Sequence, residues 1–256
     1  MHQEAADAVY ELVISVDVRR SSGYDDKGKA RMREQLYAVL GRAFQDAGVP
    51  GAALHREDRG DGVLAVVRGT VAPVRLVGLW LTEVHEGLRL ANAPLREPLG
   101  LRIGMHVGPV THDPAGVSGA AVDLACRLAD AQPARELLDR ERADLVVVAS
   151  DRLFHEVISH GGRFVDPDRY ARGLVRVKET ETVAWFLLPG RPRPEPAGPA
   201  AAPPPDPDAG PDAGPGAGAD AAADPGPGIR VGGDFSVHEN NTYRGPVHIG
   251  RRGDRA

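Results

Sequence analysis

Cysteine is nearly missing from this chain: Cys126 stands alone among 256 residues. That excludes a disulfide-stapled fold and a cysteine-rich zinc module. An excess of positive charge is also missing. The 31 basic and 36 acidic residues leave a formal charge of −5, which argues against a dedicated nucleic-acid binder. No apolar run approaches the ~20 residues needed to cross a bilayer, so no membrane span is expected. The N-terminal MHQEAADAVYELV lacks the basic, apolar and small-residue order of a signal peptide. These absences together lead us to expect a soluble cytoplasmic protein.

Proline and glycine are plentiful, at 22 and 31 residues, but unevenly spread. From Arg191 to Pro227 the chain is almost all Pro, Ala, Gly and Asp. Such a stretch has little to bury against its ordering entropy, so a disordered tether is expected over 191–228. It separates a body, residues 1–190, from a tail, 229–256. The body suits one domain; the tail is too short for a core of its own.

Within the body the apolar pattern alternates between short β-branched runs and helical spacing. Leu12–Val18 reads as a buried strand, and Lys27–Ala47 as a helix stopped by Gly48. Ala52–Leu54 and Val63–Val67 flank Gly60-Asp61-Gly62 as a hairpin. Val74–Leu90 reads as a second helix, Leu101–Val107 as a strand, and Gly119–Ala131 as a third helix. Leu145–Ala149 reads as a strand, with Ser150 as the N-cap of a helix over Asp151–Ser159. Leu174–Lys178 and Thr182–Leu188 close as a hairpin. Short turns between neighbouring strands favour a mixed or antiparallel sheet covered by helices.

Asp17 closes the first strand and Asp61 sits at the tip of the hairpin. In an antiparallel sheet these points can meet, and two carboxylates there repel unless a cation separates them. Oxygen ligands of this kind suit Mg²⁺ or Mn²⁺ with phosphate oxygens. The plainer alternatives are a preferred Asp-Gly turn and a capping Asp17. Asp123 and Arg127 stand four apart, either as an i,i+4 pair or with the arginine facing phosphate. Lys178 is either a second phosphate contact or a solvated edge lysine. His85, His106 and His112 show no ligand spacing, and Cys126 reads as a small core residue.

Taken as a set, the segments VISVDVRRSS, EDRGDGVLAVV, LRIGMHVGPV, GAAVDLACRLADA and GLVRVKETETVAWFLLPG resemble, in order, the catalytic domain of class III nucleotide cyclases. The flavour is that of actinobacterial cyclase-like proteins. The resemblance implies a ferredoxin-like α/β sandwich and a homodimer with its sites at the interface. It implies that Asp17 and Asp61 bind two metal ions, Mg²⁺ or Mn²⁺. Main-chain groups from Val18 through Ser21 to Ser22 would face a triphosphate. Arg127 would stabilise departing pyrophosphate, and Lys178 would grip the terminal phosphates. Glu57 falls where the family selects its purine. A carboxylate accepts from guanine N1–H and N2–H₂, which favours GTP over ATP. The implied activity is conversion of a nucleoside triphosphate to a cyclic mononucleotide and pyrophosphate.

The chain also departs from that pattern. Asp123 stands where the family has Asn. Gly116 stands where a second base-selecting side chain is expected, and Ser21 replaces an aromatic. Arg19 and Arg20 flank Asp17 and offer it ion-pair partners. A second expectation follows, of a cyclase-like module that dimerises and senses nucleotide without turnover. In the tail, Val247-His248-Ile249-Gly250 resembles RHIM-like amyloid signalling motifs, with His in place of Gln. Such a β-prone tail can self-assemble or dock on its own body or a protein partner.

Overall fold

The computed structural model describes residues 7–177 and 180–195. Lys178 and the tail lie outside the described residues, as does all but the first few residues of the tether. The chain order is β1 (Val9–Val18), α1 (Asp26–Asp46), β2 (Leu54–Asp58), β3 (Gly62–Val67), α2 (Pro73–Arg75), α3 (Leu81–Asn92) and β4 (Leu101–Asp113). Then come β5 (Gly116–Ser118), α4 (Ala120–Ala129), α5 (Gln132–Arg140), β6 (Leu145–Ser150), α6 (Asp151–Glu156), β7 (Ala171–Val177) and β8 (Thr180–Leu187). The strands form a mixed sheet in the order β2-β3-β1-β4-β6-β8-β7, with β5 beside β4. The first half is the β-α-β-β-α-β path of a ferredoxin-like unit, as expected. β4 and β6 run parallel. A parallel neighbour demands a long crossover, and α4 and α5 supply it.

The sheet is covered on both faces, so its central strands read as continuous apolar runs. β3 and β6 are buried along their whole length. On one face Met32, Leu36, Leu40, Ala43 and Phe44 of α1 pack with Val84 and Leu88 of α3 against Ile14, Val16, Leu101 and Ile103. On the other face lie α4, with Ala121, Val122 and Ala125, and α5, with Ala134, Leu137 and Leu138.

Local signals set the ends. The Asp25 side chain accepts from the Gly28 amide at 2.7 Å and caps α1. Gly48 ends it at φ 64° while the Val49 amide returns to the Phe44 carbonyl at 2.9 Å, a left-handed C-terminal turn that glycine adopts freely. Ser150 caps α6 by accepting from the Leu153 amide at 3.2 Å, as expected. Between α2 and α3 the helix widens into a π turn over Leu76–Trp80. Gly78 in that turn lies so close to the 163–165 loop that a Cβ would sit 3.0 Å from Val165. Neither β5 nor α5 was anticipated, and β4 runs six residues further than expected. The strand expected at Ala52–Leu54 lies later, at Leu54–Asp58, because Gly51–Ala53 closes as a 3₁₀ turn after Pro50. No helix among the described residues is long and apolar enough to cross a membrane.

His85 and His106 are both half-buried, and burial is the main force lowering both pKa values. Near His106, Arg152 lowers its pKa further and Glu156 opposes; its Nδ1 lies 2.8 Å from Ser150 Oγ. Near His85, Glu86 and Asp144 oppose burial while Arg89 and Arg169 add to it. A group that protonates more readily when unfolded gives full stability above its unfolded pKa of ~6.5, and loses it as pH falls below. Thermal unfolding is therefore expected at lower temperature at pH 5.5 than at pH 7.5. His106→Gln should flatten that dependence, and scanning Tm against pH for both proteins checks it.

Candidate functional site

The end of β1 and the tip of the β2–β3 hairpin lie side by side. Asp17 is in register with Gly62 on one side and with Arg102 on the other. The Val18 amide donates to the Asp61 carbonyl at 3.1 Å. Gly62 permits this closure, since a Cβ there would stand 2.3 Å from the Val16 carbonyl oxygen. The turn itself uses Gly60 at φ 81°, with Asp58 Oδ1 accepting from the Gly60 amide at 2.7 Å. Arg33 of α1 donates to the Gly60 carbonyl at 3.0 Å and to Asp58, tying the hairpin tip to the helix.

Asp17 and Asp61 line one cavity of about 420 Å³, together with Val18, Arg19, Arg20, Ser21, Arg102, Asp130, Arg135 and Asp139. The sequence expectation that brings the two aspartates and Ser21 together thus has a geometric counterpart. Ser22 follows in a single 3₁₀ turn, Ser21–Gly23. Ser21 and Asp61 also line a second cavity of about 570 Å³, with Asp26, Lys29, Met32 and Arg33.

The charges around Asp17 differ from what its neighbours in sequence suggest. Arg19 and Arg20 do not pair with it; both turn to Asp139, at 3.8 and 3.2 Å. Arg102 takes Asp17 instead, donating a terminal N–H to its carboxylate. The side chains are 10% and 25% exposed. Arg102 is pinned at its other end, where Nε donates to the Ala129 carbonyl at 3.1 Å. That contact exists because β4 has a glycine at 104. A Cβ there would lie 2.1 Å from the Ala125 carbonyl oxygen, so only glycine lets α4 settle this low on the sheet. Burial, then repulsion from Arg135, lowers the Arg102 pKa, but guanidinium starts too high to lose its proton at neutral pH. Removing one partner of a buried ion pair costs roughly 3–5 kcal/mol, and somewhat less here because Asp17 keeps some water.

The other acids of the cavity are also engaged. Ser21 Oγ donates to Asp61 Oδ2 at 2.5 Å, and Arg135 donates to Asp130. Four arginines face four aspartates, so the formal charge of the lining is zero. Among the described residues no three His, Cys, Asp or Glu side chains are grouped to hold a metal ion. As arranged, this donor set fits a pair of hard divalent cations poorly, because the Arg102 guanidinium already sits on the Asp17 carboxylate and repels them.

The remaining expected residues sit elsewhere. Glu57 lies on edge strand β2, opposite Leu64. Its Oε1 accepts from the Val117 amide at 2.9 Å and lies 2.9 Å from His55 Nε2; its Oε2 accepts from Arg59 at 2.7 Å. Burial raises its pKa, but the bonds from His55 and Val117, with the charge of Arg59, outweigh it and hold the carboxyl below its usual range. Gly116 makes room for this, because a Cβ there would stand 2.4 Å from Glu57 Oε1. Beside it, the buried Glu11 meets His112 Nε2 at 2.5 Å, and the His112 ring meets His55 edge-on at 5.9 Å between centroids. Asp123 is exposed on the first turn of α4, with Arg127 one turn later. Glu57, Asp123 and Arg127 do not line the Asp17 cavity.

No protein-family model matches the chain, and comparison with curated proteins finds no relative. Solved structures do match. The adenylyl cyclase CyaB from P. aeruginosa aligns with a TM-score of 0.54 at 13% identity, over 75% of this chain and all of that one. The guanylyl cyclase Cya2 aligns with a TM-score of 0.52 at 18% identity, over 71% of this chain and 93% of the other. An adenylate/guanylate cyclase/hydrolase from Silicibacter pomeroyi aligns with a TM-score of 0.51 at 20% identity, over 72% and 99%. The chain has the fold of class III nucleotide cyclase catalytic domains. At these identities the likeness concerns the fold alone. Within that cyclase-like fold, Arg102, Asp130, Arg135 and Asp139 are site residues that sequence reasoning missed. For Arg102 a signal existed: it shares a strand face with Gly104, opposite the end of β1.

The Glu57 clip generates a prediction. Gly116→Ala should drive the carboxylate off the Val117 amide and lower stability by about 1–3 kcal/mol, the cost of a buried polar group losing its partner. Glu57→Gln should lower it too. Because both act on one contact, the double variant should lose less than the sum, as denaturant unfolding of the four proteins will measure.

Proposed function

We propose that this protein is a nucleotide-binding module on the cyclase fold. It holds the polyphosphate of a nucleoside triphosphate in the Asp17–Asp61 cavity and signals by occupancy rather than by making a cyclic nucleotide. The observation that carries this reading is the pairing of Asp17 with Arg102, which sets a fixed positive charge against one expected metal ligand. Asp123 in place of the family's Asn and the absence of a side chain at Gly116 support it. Polyphosphate is the favoured guest because arginine forks match phosphate oxygens.

Purine discrimination rests on Glu57, whose carboxylate already receives three donors within its own chain. Preference for GTP over ATP is therefore slight, less than about tenfold, or 1.4 kcal/mol. Glu57, Asp123 and Arg127 line no wall of the Asp17 cavity. A second copy of the chain, joined head to tail, would bring them to the same nucleotide. The module acts in the cytoplasm and passes its state to a partner, or to further copies of itself, through residues 229–256.

A second reading is an active Mg²⁺- or Mn²⁺-dependent cyclase using Asp17, Asp61, Arg127 and Lys178. It is favoured by the single observation that both aspartates reach one cavity. One experiment separates the two. Purified full-length protein is titrated with GTP and ATP, then incubated with each plus Mn²⁺ and assayed for cyclic nucleotide and pyrophosphate. The expected result is saturable binding without product. Product that disappears in Asp17→Ala would overturn the binding-module reading in favour of the cyclase.

A further inference from the structure

Each carboxylate of the Asp17 cavity already accepts from a neighbour: Asp17 from Arg102, Asp130 from Arg135, Asp139 from Arg20, and Asp61 from the Ser21 hydroxyl. Arg19 donates outward to the Ala143 and Pro98 carbonyls, while Arg20 and Arg102 keep donors that these bonds do not use. Each guanidinium has five N–H donors, and the bonds of Arg102 to Asp17 and Ala129 use two of them. Arg20 makes one bond, to Asp139, with its side chain 76% exposed. Its backbone sits at φ 55°, a left-handed conformation that non-glycine residues rarely adopt, and this places it on the wall beside Ser21. Arg19 is packed against Gly100, where a Cβ would meet its Nε at 2.7 Å. What the cavity's arginines still offer a guest is therefore N–H donors, in a lining of zero formal charge.

A divalent cation on Asp17 would have to share that carboxylate with Arg102. That guanidinium cannot retreat, being buried and tied through Nε to Ala129 beneath α4. The cation would sit against a fixed positive charge. An anion meets the opposite situation. We infer that Arg102 stands where a metal ion would otherwise serve, and that the cavity takes a polyphosphate without any divalent cation. This inference rests on the binding-module reading and adds to it the role of Arg102 and independence from a metal ion.

The test measures calorimetric binding of tripolyphosphate and of GTP to the full chain, once in EDTA and once in Mg²⁺. Mn²⁺ binding is followed separately by its EPR signal. The expected result is binding in EDTA at least as tight as in Mg²⁺, with no protein-bound Mn²⁺ signal from the wild type. Arg20→Ala, on an exposed side chain, should weaken tripolyphosphate binding in EDTA roughly tenfold, the loss of one charge-assisted contact. Arg102→Met, provided it retains the wild-type circular dichroism, should weaken it at least as much and acquire a bound Mn²⁺ signal. Binding that requires Mg²⁺, or bound Mn²⁺ on the wild type, overturns the inference and leaves the binding-module reading standing. Absence of GTP and tripolyphosphate binding in both conditions overturns both.

Discussion

Arg102 cannot leave its place without stranding a charge under a helix, and it holds that place because β4 has no side chain two residues on. Gly104 lets α4 approach until a Cβ would collide with the Ala125 carbonyl. The last turn of α4 then presents the Ala129 oxygen to Arg102 Nε, and the other end of the fork is aimed at Asp17. A packing constraint in the second layer thus decides which partner a carboxylate at the end of β1 meets. Planar guanidinium with fixed donor directions transmits such a constraint; a lysine, a flexible point charge, would not.

The same low seating of α4 divides the molecule's two faces by task. The α1–α3 face is broad and almost wholly aliphatic, with Phe44 and Trp80 in ring contact at 5.0 Å. It provides most of the hydrophobic burial. The α4–α5 face holds two smaller apolar clusters and, around them, the paired charges: Glu11 with His112, Glu57 with His55 and Arg59, Asp17 with Arg102. Buried or half-buried charge needs partners to be tolerated, and here every such acid has one. Polar pairs of this kind add little net stability, so the fold rests on the first face while the second holds most of the paired charge.

Most of this architecture was legible in the sequence. β-branched runs at Leu12–Val18, Val63–Val67 and Leu145–Ala149 gave the central strands because a sheet covered on both sides requires them. Ser150 and Gly48 marked helix ends through their side-chain and backbone chemistry. α5 escaped because its apolar face is short, Ala134, Leu137 and Leu138, and because Pro133 reads as a breaker although the first turn of a helix accepts it. At the site, the meeting of Asp17 and Asp61 followed from strand end and hairpin tip. The Arg102 partnership did not, since an arginine on β4 acquires meaning only when antiparallel register sets it across from Asp17. The neighbours nearest in sequence, Arg19 and Arg20, pointed to the wrong pair. Glu57 fell outside the strand expected at Ala52–Leu54, and the three donors that hold it come from β2, the residue following it, and β5, an element no local pattern announced.

The hydroxyl of Ser21 belongs to two chambers at once. With Asp61 it forms the boundary shared by the arginine-lined space and the larger one against Met32 and Lys29. At that shared edge the Ser21 hydroxyl donates to the Asp61 carboxylate, so whatever draws on either group from one chamber alters the lining of the other. The two spaces are thereby coupled through the first residue of a 3₁₀ turn.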